Sequence, residues 1–312
     1  MCCWASSGCE RGLDMGFLRF LKKGGFLLLL LLLFAAGDLL LWRSGWVQSS
    51  GYFWLDDFEI TRKHHPEEVW EGVVFGSSEL ISGYREDLSN TNYVNLGMDY
   101  GTMEDLEQLL EKGLISVSGE LILALNWSAL CDDLDTNPTY IWHKGALEPY
   151  CYFQRARLSA FLLDEFSALL GDGEPRQRLF LEQDKEFYHG HMTPEELSAR
   201  VEKLTDLYLW RGDSAFDGNL AALGRVLDWC REKGLSVRCL WMPENPLVSL
   251  GAVNDRLRED AGAVCAAAGV AFTDMTDVLP ADCFYDTGHM DYETGAPVFT
   301  EVLEAWISSK KA

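Results

Sequence analysis

The chain has 312 residues, 48% of them apolar and 11 of them Trp, enough for one large domain with a sizeable core plus a membrane segment. It carries 26 Lys and Arg against 49 Asp and Glu, a net charge of −23, and up to Trp42 the two signs nearly cancel, so the acidic excess falls in the remainder. Such a surface is repelled by nucleic acid and by anionic lipid head groups, which excludes DNA or RNA binding as the main function.

At the N-terminus, Cys2, Cys3 and Cys9 precede a short basic segment, and Met15 is an alternative natural start, so the first fourteen residues carry no weight. From Phe26 to Trp42 runs a leucine-dominated stretch broken only by Gly37 and Asp38. With Gly24 and Gly25 it approaches the roughly 20 apolar residues that a bilayer requires. Arg19, Lys22 and Lys23 lie just before it, which places the N-terminus in the cytoplasm and the chain beyond Trp42 outside. Cleavage after Ala35-Ala36-Gly37 is an alternative, but Leu39-Leu40-Leu41-Trp42 keeps the chain apolar beyond that site, favouring an uncleaved signal anchor with Asp38 near the outer interface. The expected organisation is a cytoplasmic segment over 1–23, a transmembrane anchor over 24–42, a linker over 43–70, and an α/β domain over 71–312.

Within that domain, strands are predicted at Gly72–Phe75, Tyr93–Leu96, Leu121–Leu125, Ser236–Met242 and Val270–Thr273. Helical patterns alternate with them. Thr102-Met103-Glu104-Asp105 resembles a capping box, followed by Leu106, Leu109 and Leu110 with Gly113 as the stop. Leu220, Leu223, Leu227 and Cys230 form a second stripe, Leu257, Ala261, Val264 and Ala268 a third, and Val298 to Trp306 a final helix. Alternation of this kind predicts a three-layer α/β/α sandwich with a parallel, flavodoxin-like sheet. An aromatic-rich insertion over about 131–217, with a helix start at Thr193-Pro194-Glu195-Glu196, reads either as a lid over the active rim or as a peripheral subdomain. Cys230, Cys239 and Cys265 fall on apolar faces and read as buried thiols; Cys131 and Cys151 flank the start of the insertion and are candidates to pair.

Two islands carry the chemistry. Gly76-Ser77-Ser78-Glu79 follows the first apolar strand, where small residues let a serine hydroxyl stand clear. Asp286-Thr287-Gly288-His289 supplies an imidazole with a carboxylate three residues earlier. A serine needs a base to take its proton, and an acid that fixes the imidazole tautomer improves that base. Ser78, His289 and Asp286 thus point to a serine hydrolase or acyltransferase, both islands reaching the C-terminal rim of the sheet. The competing interpretation is that Ser77 and Ser78 only cap the following helix. His189 and His191 have metal-like spacing without a supporting carboxylate or cysteine cluster, and read as loop residues; no metal or other cofactor is expected.

These blocks resemble the SGNH (GDSL-type) hydrolase superfamily over roughly residues 71–306. Val73 to Leu80 is similar to its nucleophile block, with Ser77 where aspartate is commoner; Asn95-Leu96-Gly97-Met98 to its second; Leu123-Ala124-Leu125-Asn126 to its third; and Asp286 to Asp291 with Thr294-Gly295-Ala296 to its last. Within the superfamily the chain is most similar to the membrane-anchored branch containing the D-alanine transfer protein of lipoteichoic acid synthesis and surface-polysaccharide O-acetyltransferases. The resemblance implies Ser78 as nucleophile, His289 as base, Asp286 as orienting acid, and the Gly97 N–H and Asn126 amide beside the Ser78 N–H around the oxyanion. It departs from the pattern at Ala124, where glycine is usual, and at Trp127, where aspartate is usual. The implied substrate is a cell-envelope glycan or lipid-linked acyl compound, with a membrane-bound acyl donor protein as partner if the reaction is a transfer. The alternative is a non-catalytic surface module that binds glycan or a partner through the aromatic insertion.

Overall fold

A computed structural model of the chain describes residues 9–44, 46, 57–134, 140–143, 152, 155–170 and 188–309. Five strands, β1 (Trp70–Gly76), β2 (Tyr93–Gly97), β3 (Val117–Leu125), β4 (Ser236–Trp241) and β5 (Ala271–Asp274), form one parallel sheet in the order β2-β1-β3-β4-β5. This is the flavodoxin-like order expected from the alternating pattern, and each predicted strand is present. The helices are α1 (Cys9–Arg43), α2 (Asp57–His64), α3 (Ser78–Gly83), α4 (Met103–Glu111), α5 (Trp127–Leu130), α6 (Arg155–Leu169), α7 (Pro194–Leu204), α8 (Asp217–Lys233), α9 (Ala252–Ala267) and α10 (Gly295–Ser308).

The C-terminal stretches of β1 and β3 are apolar and fully buried because both faces of the sheet are covered there. Successive side chains point to opposite faces. Val73 and Phe75, with Leu121, Leu123 and Leu125, join the core that contains Leu106, Leu109, Leu223, Leu227 and Leu257. Val74, Ile122, Ala124 and Leu240 join the opposite core with Leu80, Phe299 and Leu303. Burying one such side chain is worth about 1.5–3 kcal/mol, so a one-residue slip of β1 or β3 would reverse many such contributions and is strongly disfavoured.

Local signals set the helix ends. The Thr102–Asp105 capping box at α4 is made in both directions, and so is a box between Thr193 and Glu196 at α7, where Pro194 occupies the first turn. Gly234, at φ 68°, closes α8 in the left-handed conformation. On α8 and α9 the buried stripe is rotated slightly from the expected one. Ala222 and Val226 are buried where Leu220, Val264 and Ala268 are only half-buried, because the sheet selects a broader face than the leucines mark.

The chain divides into two compact units, Met1–Trp54 with Lys144–Phe180, and Leu55–His143 with Leu181–Ala312. In the first, Gly24–Arg43 is long and apolar enough to cross a membrane, with a mean hydropathy of 2.4. Asp38 of that helix is buried, and both its oxygens accept the Tyr152 N–H at 3.2 Å. A carboxylate in an apolar helix thereby keeps a donor. The second unit holds the sheet. It also takes α2 from the segment expected as linker, since Phe58 is fully buried and Asp57 accepts the Asp99 N–H at 2.6 Å. Cys230, Cys239 and Cys265 are buried free thiols, as expected; Cys131 is also free and buried, and Cys151 lies outside the described residues.

Candidate active site

The chain leaves β1 at Gly76 and enters α3 two residues later, at the C-terminal edge of the sheet. The two serines there have different tasks. Ser77 is the N-cap: it is extended, buried, and its Oγ accepts the Glu79 N–H and, at 2.9 Å, the Asn126 amide. Ser78 is the first helical residue, half-buried, and its Oγ lies 2.9 Å from His289 Nε2. The capping interpretation therefore holds for Ser77 alone.

His289 comes from the loop after β5, 211 residues along the chain from Ser78. Its Nδ1 lies 2.9 and 3.1 Å from the two oxygens of Asp286, which fixes the tautomer: Nδ1–H donates to Asp286 and Nε2 accepts from Ser78. Asp286 Oδ1 also accepts the N–H groups of Gly288 (3.0 Å) and His289 (2.8 Å). The loop is anchored to the segment after β4, where Asn245 donates through Nδ2 to the Asp286 carbonyl and through its backbone N–H to that of Thr287. The Tyr188 ring lies 4.2 Å from the imidazole, and Tyr292 N–H donates to the Tyr188 carbonyl, so residues near 188 are stitched to the terminal block. His189 pairs with Glu293 at 2.7 Å, and His191 Nδ1 lies 2.9 Å from the Phe284 carbonyl, so both are loop anchors.

Burial acts to raise the pKa of Asp286, but the His289 charge and the hydrogen bonds from His289 and Gly288 outweigh it and hold the carboxyl at about 2. Burial acts to lower that of His289; the Asp286 charge, its hydrogen bond and the Glu79 charge prevail, and the imidazole titrates above its usual value. Glu79 has the opposite fate. Burial pushes its carboxyl up to about 7, with His289 and the Asn126 amide opposing and Asp286 and Glu244 adding to the rise. It is wedged against Gly288, where any Cβ would stand 2.4 Å from Glu79 Oε1.

The residues expected around the oxyanion are at the same rim but are differently engaged. The Gly97 N–H donates to Asn95 Oδ1 at 2.9 Å, and a Cβ at Gly97 would lie 2.7 Å from Ile81 N. Its glycine thus serves the close approach of α3 to β2. Asn126 caps α5 through Oδ1, which accepts the Ala129 N–H at 2.9 Å, while its amide sits between Ser77 and Glu79. Asn126-Trp127-Ser128 has the form of an N-glycosylation sequon, but at 3% exposure Asn126 is closed to that modification in the folded chain. Two other N–H groups, of Ser78 and Tyr100, take no acceptor among the described residues. Tyr100 has φ 54°, a left-handed conformation that costs a non-glycine residue energy and concentrates at functional turns.

A cavity of about 180 Å³ opens over Ser78 and His289. Trp127, Tyr188 and Tyr208 line it, the rings of Trp127 and Tyr208 5.4 Å apart, and Arg200, Lys203 and Leu204 of α7 close one side. This part of the insertion therefore lies over the rim. Glu79, Tyr100, Asn245, Tyr188 and Arg200 are site residues that the sequence alone does not mark. Glu79 stands inside a recognisable motif as an acid before two apolar residues, which is the available signal; the other four depend on where loops fold.

No family model matches the chain, and no curated protein matches it in sequence. Among solved structures it is similar to an active-site mutant of a family two carbohydrate esterase from Clostridium thermocellum, at 13% identity and a TM-score of 0.31. The alignment covers 79% of this chain and 65% of that one.

Proposed function

We propose that the chain is a serine esterase or O-acyltransferase of SGNH type, anchored by Gly24–Arg43 with its α/β domain outside the cytoplasm, and acting on an envelope glycan or lipid-linked acyl ester. The observation that carries this reading is the continuous hydrogen-bonded relay Ser78 Oγ–His289–Asp286, with Ser78 at the start of a helix and a cavity above it. In this mechanism His289 Nε2 takes the Ser78 proton as Oγ attacks the ester carbonyl. The N–H groups of Ser78 and Tyr100 receive the oxyanion, each such donor being worth about 3 kcal/mol of barrier, while Gly97 and Asn126 hold α3 and Ser77 in place. The imidazolium then protonates the leaving alcohol. The acyl-serine passes to water or to a second hydroxyl that His289 deprotonates. The basic residues ahead of the anchor support the orientation, and a membrane-bound donor protein is the partner this reading asks for if the acceptor is a glycan.

The test is covalent labelling of the full-length protein in detergent with a fluorophosphonate probe, followed by peptide mass spectrometry. Label is expected on Ser78, absent in Ser78→Ala and retained in Ser77→Ala. Folded protein that stays unlabelled would instead favour a binding module without catalysis.

A further inference from the structure

In a chain with 49 acidic and 26 basic residues, two cations over the candidate nucleophile ask for a reason. Arg200 and Lys203 stand three residues apart on one face of α7, and both line the cavity that holds Ser78 and His289. Arg200 Nε is buried and has no hydrogen-bond partner among the described residues. Its nearest acid is Asp286 Oδ2 at 3.7 Å, too far for a hydrogen bond, and that acid already accepts from His289. Lys203 is exposed and makes no hydrogen bond or ion pair among the described residues. The acids on the same lining are Glu79, packed against Gly288, and Asp99.

The position of Arg200 says which part of a substrate it meets. It adjoins Asp286, the partner of His289, and so stands on the imidazole side of the nucleophile. On the imidazole side the leaving alcohol is protonated and an incoming hydroxyl deprotonated. We infer that Arg200 and Lys203 form an anion subsite for the alcohol or acceptor portion of the substrate, which bears a carboxylate or phosphate near the reacting hydroxyl. The inference rests on reading Ser78, His289 and Asp286 as an esterase site. Both cations have donors to offer such a group, and a charge-assisted pair there discriminates against a neutral analogue.

The experiment measures acetate release by the full-length protein from three probes acetylated at the same hydroxyl: a methyl glucoside, the matching methyl glucuronoside and the matching glucoside 6-phosphate. The expected result is a kcat/KM for one or both anionic esters about tenfold or more above the neutral one. That ratio should fall towards one in Lys203→Gln and in Arg200→Gln with Lys203→Gln, and reverse in Lys203→Glu. Using the ratio cancels any general loss that Arg200→Gln causes through Asp286. Which anionic ester is preferred separates a carboxylate from a phosphate. Equal kcat/KM for all three, or a preference that survives the substitutions, overturns the subsite. If no ester is cleaved and Ser78 takes no probe, the esterase reading has failed, and the subsite is judged by thermal-shift titration of Ser78→Ala. A glucuronate or glucose 6-phosphate shift absent with glucose and lost in Lys203→Gln upholds it; no difference from glucose overturns it.

Discussion

At the scale of residues, the site sets three carboxyl and imidazole groups at different protonation states within one small volume. Asp286 is ionised, at about 2, because His289 and backbone donors favour its charge against the effect of burial. In the proposed reaction His289 must be neutral to accept the Ser78 proton, so the rate should rise with pH through an imidazole pKa raised above the usual 6.5. In Asp286→Asn the group that lifts this pKa is gone. The acid limb of kcat/KM against pH, read with 4-nitrophenyl acetate, should move to lower pH, and the rate should drop by about 10³–10⁴ through loss of the correct tautomer. An unmoved limb with near-normal rate would contradict the assignment. Glu79 gives a stability test. Its carboxyl titrates at about 7 in the folded chain against 4.5 when exposed, so the fold binds that proton more tightly and loses stability as pH rises from 4.5 through 7. The whole effect is on the order of 3 kcal/mol. Glu79→Gln should therefore raise Tm relative to the parent at pH 8 and much less at pH 5, measured by thermal denaturation in both buffers.

At the scale of elements, the decisive contact is that of α3 with the ends of β1, β2 and β3. Ser77 and Asn126 fix its first turn, and Gly97 lets Ile81 approach the β2 backbone. Because Ser78 Oγ must stay within 2.9 Å of a histidine on a distant loop, a small shift of α3 matters more to chemistry than to folding. Gly97→Ala places a methyl 2.7 Å from Ile81 N. It should cost about 1–3 kcal/mol of stability in urea titrations, and probe labelling of Ser78 in the still-folded protein should slow by a larger factor. Labelling at the parental rate would show that α3 is not positioned through this contact. Helix α7 starts in a complete capping box and runs on into the turn Thr205–Leu209, with Leu197 and Leu204 buried, which holds Arg200 and Lys203 on the cavity lining.

At the scale of the molecule, an apolar helix and a strongly acidic α/β unit belong to one chain. Gly24–Arg43 is long and apolar enough to cross a bilayer, and the acidic excess elsewhere is repelled by anionic head groups, so the proposed attachment assigns the membrane contact to the helix and not to the domain surface. The chain should stay with membranes through a high-salt, alkaline wash and be released when residues before Trp54 are removed. In sealed vesicles of known sidedness, protease should digest the domain only from the face opposite the basic residues. Digestion from the face that carries Arg19, Lys22 and Lys23 would refute the orientation.

The alternating pattern of apolar runs and capped helices is sufficient to give the α/β class, all five strands and their parallel order, because hydrophobic period and turn chemistry act over short stretches. Ser78, Asp286 and His289 are legible for the same reason, each sitting in a compact block of small and polar residues. What no short stretch contains is contact across hundreds of positions. Only the folded chain separates Ser77 as cap from Ser78, gives Gly97 a packing role, leaves Tyr100 at a positive φ with an N–H that takes no acceptor among the described residues, and brings Asn245, Tyr188 and Arg200 to the imidazole loop. Local free-energy preferences fix which elements form; long-range packing decides which side chains meet, and the chemistry depends on that meeting.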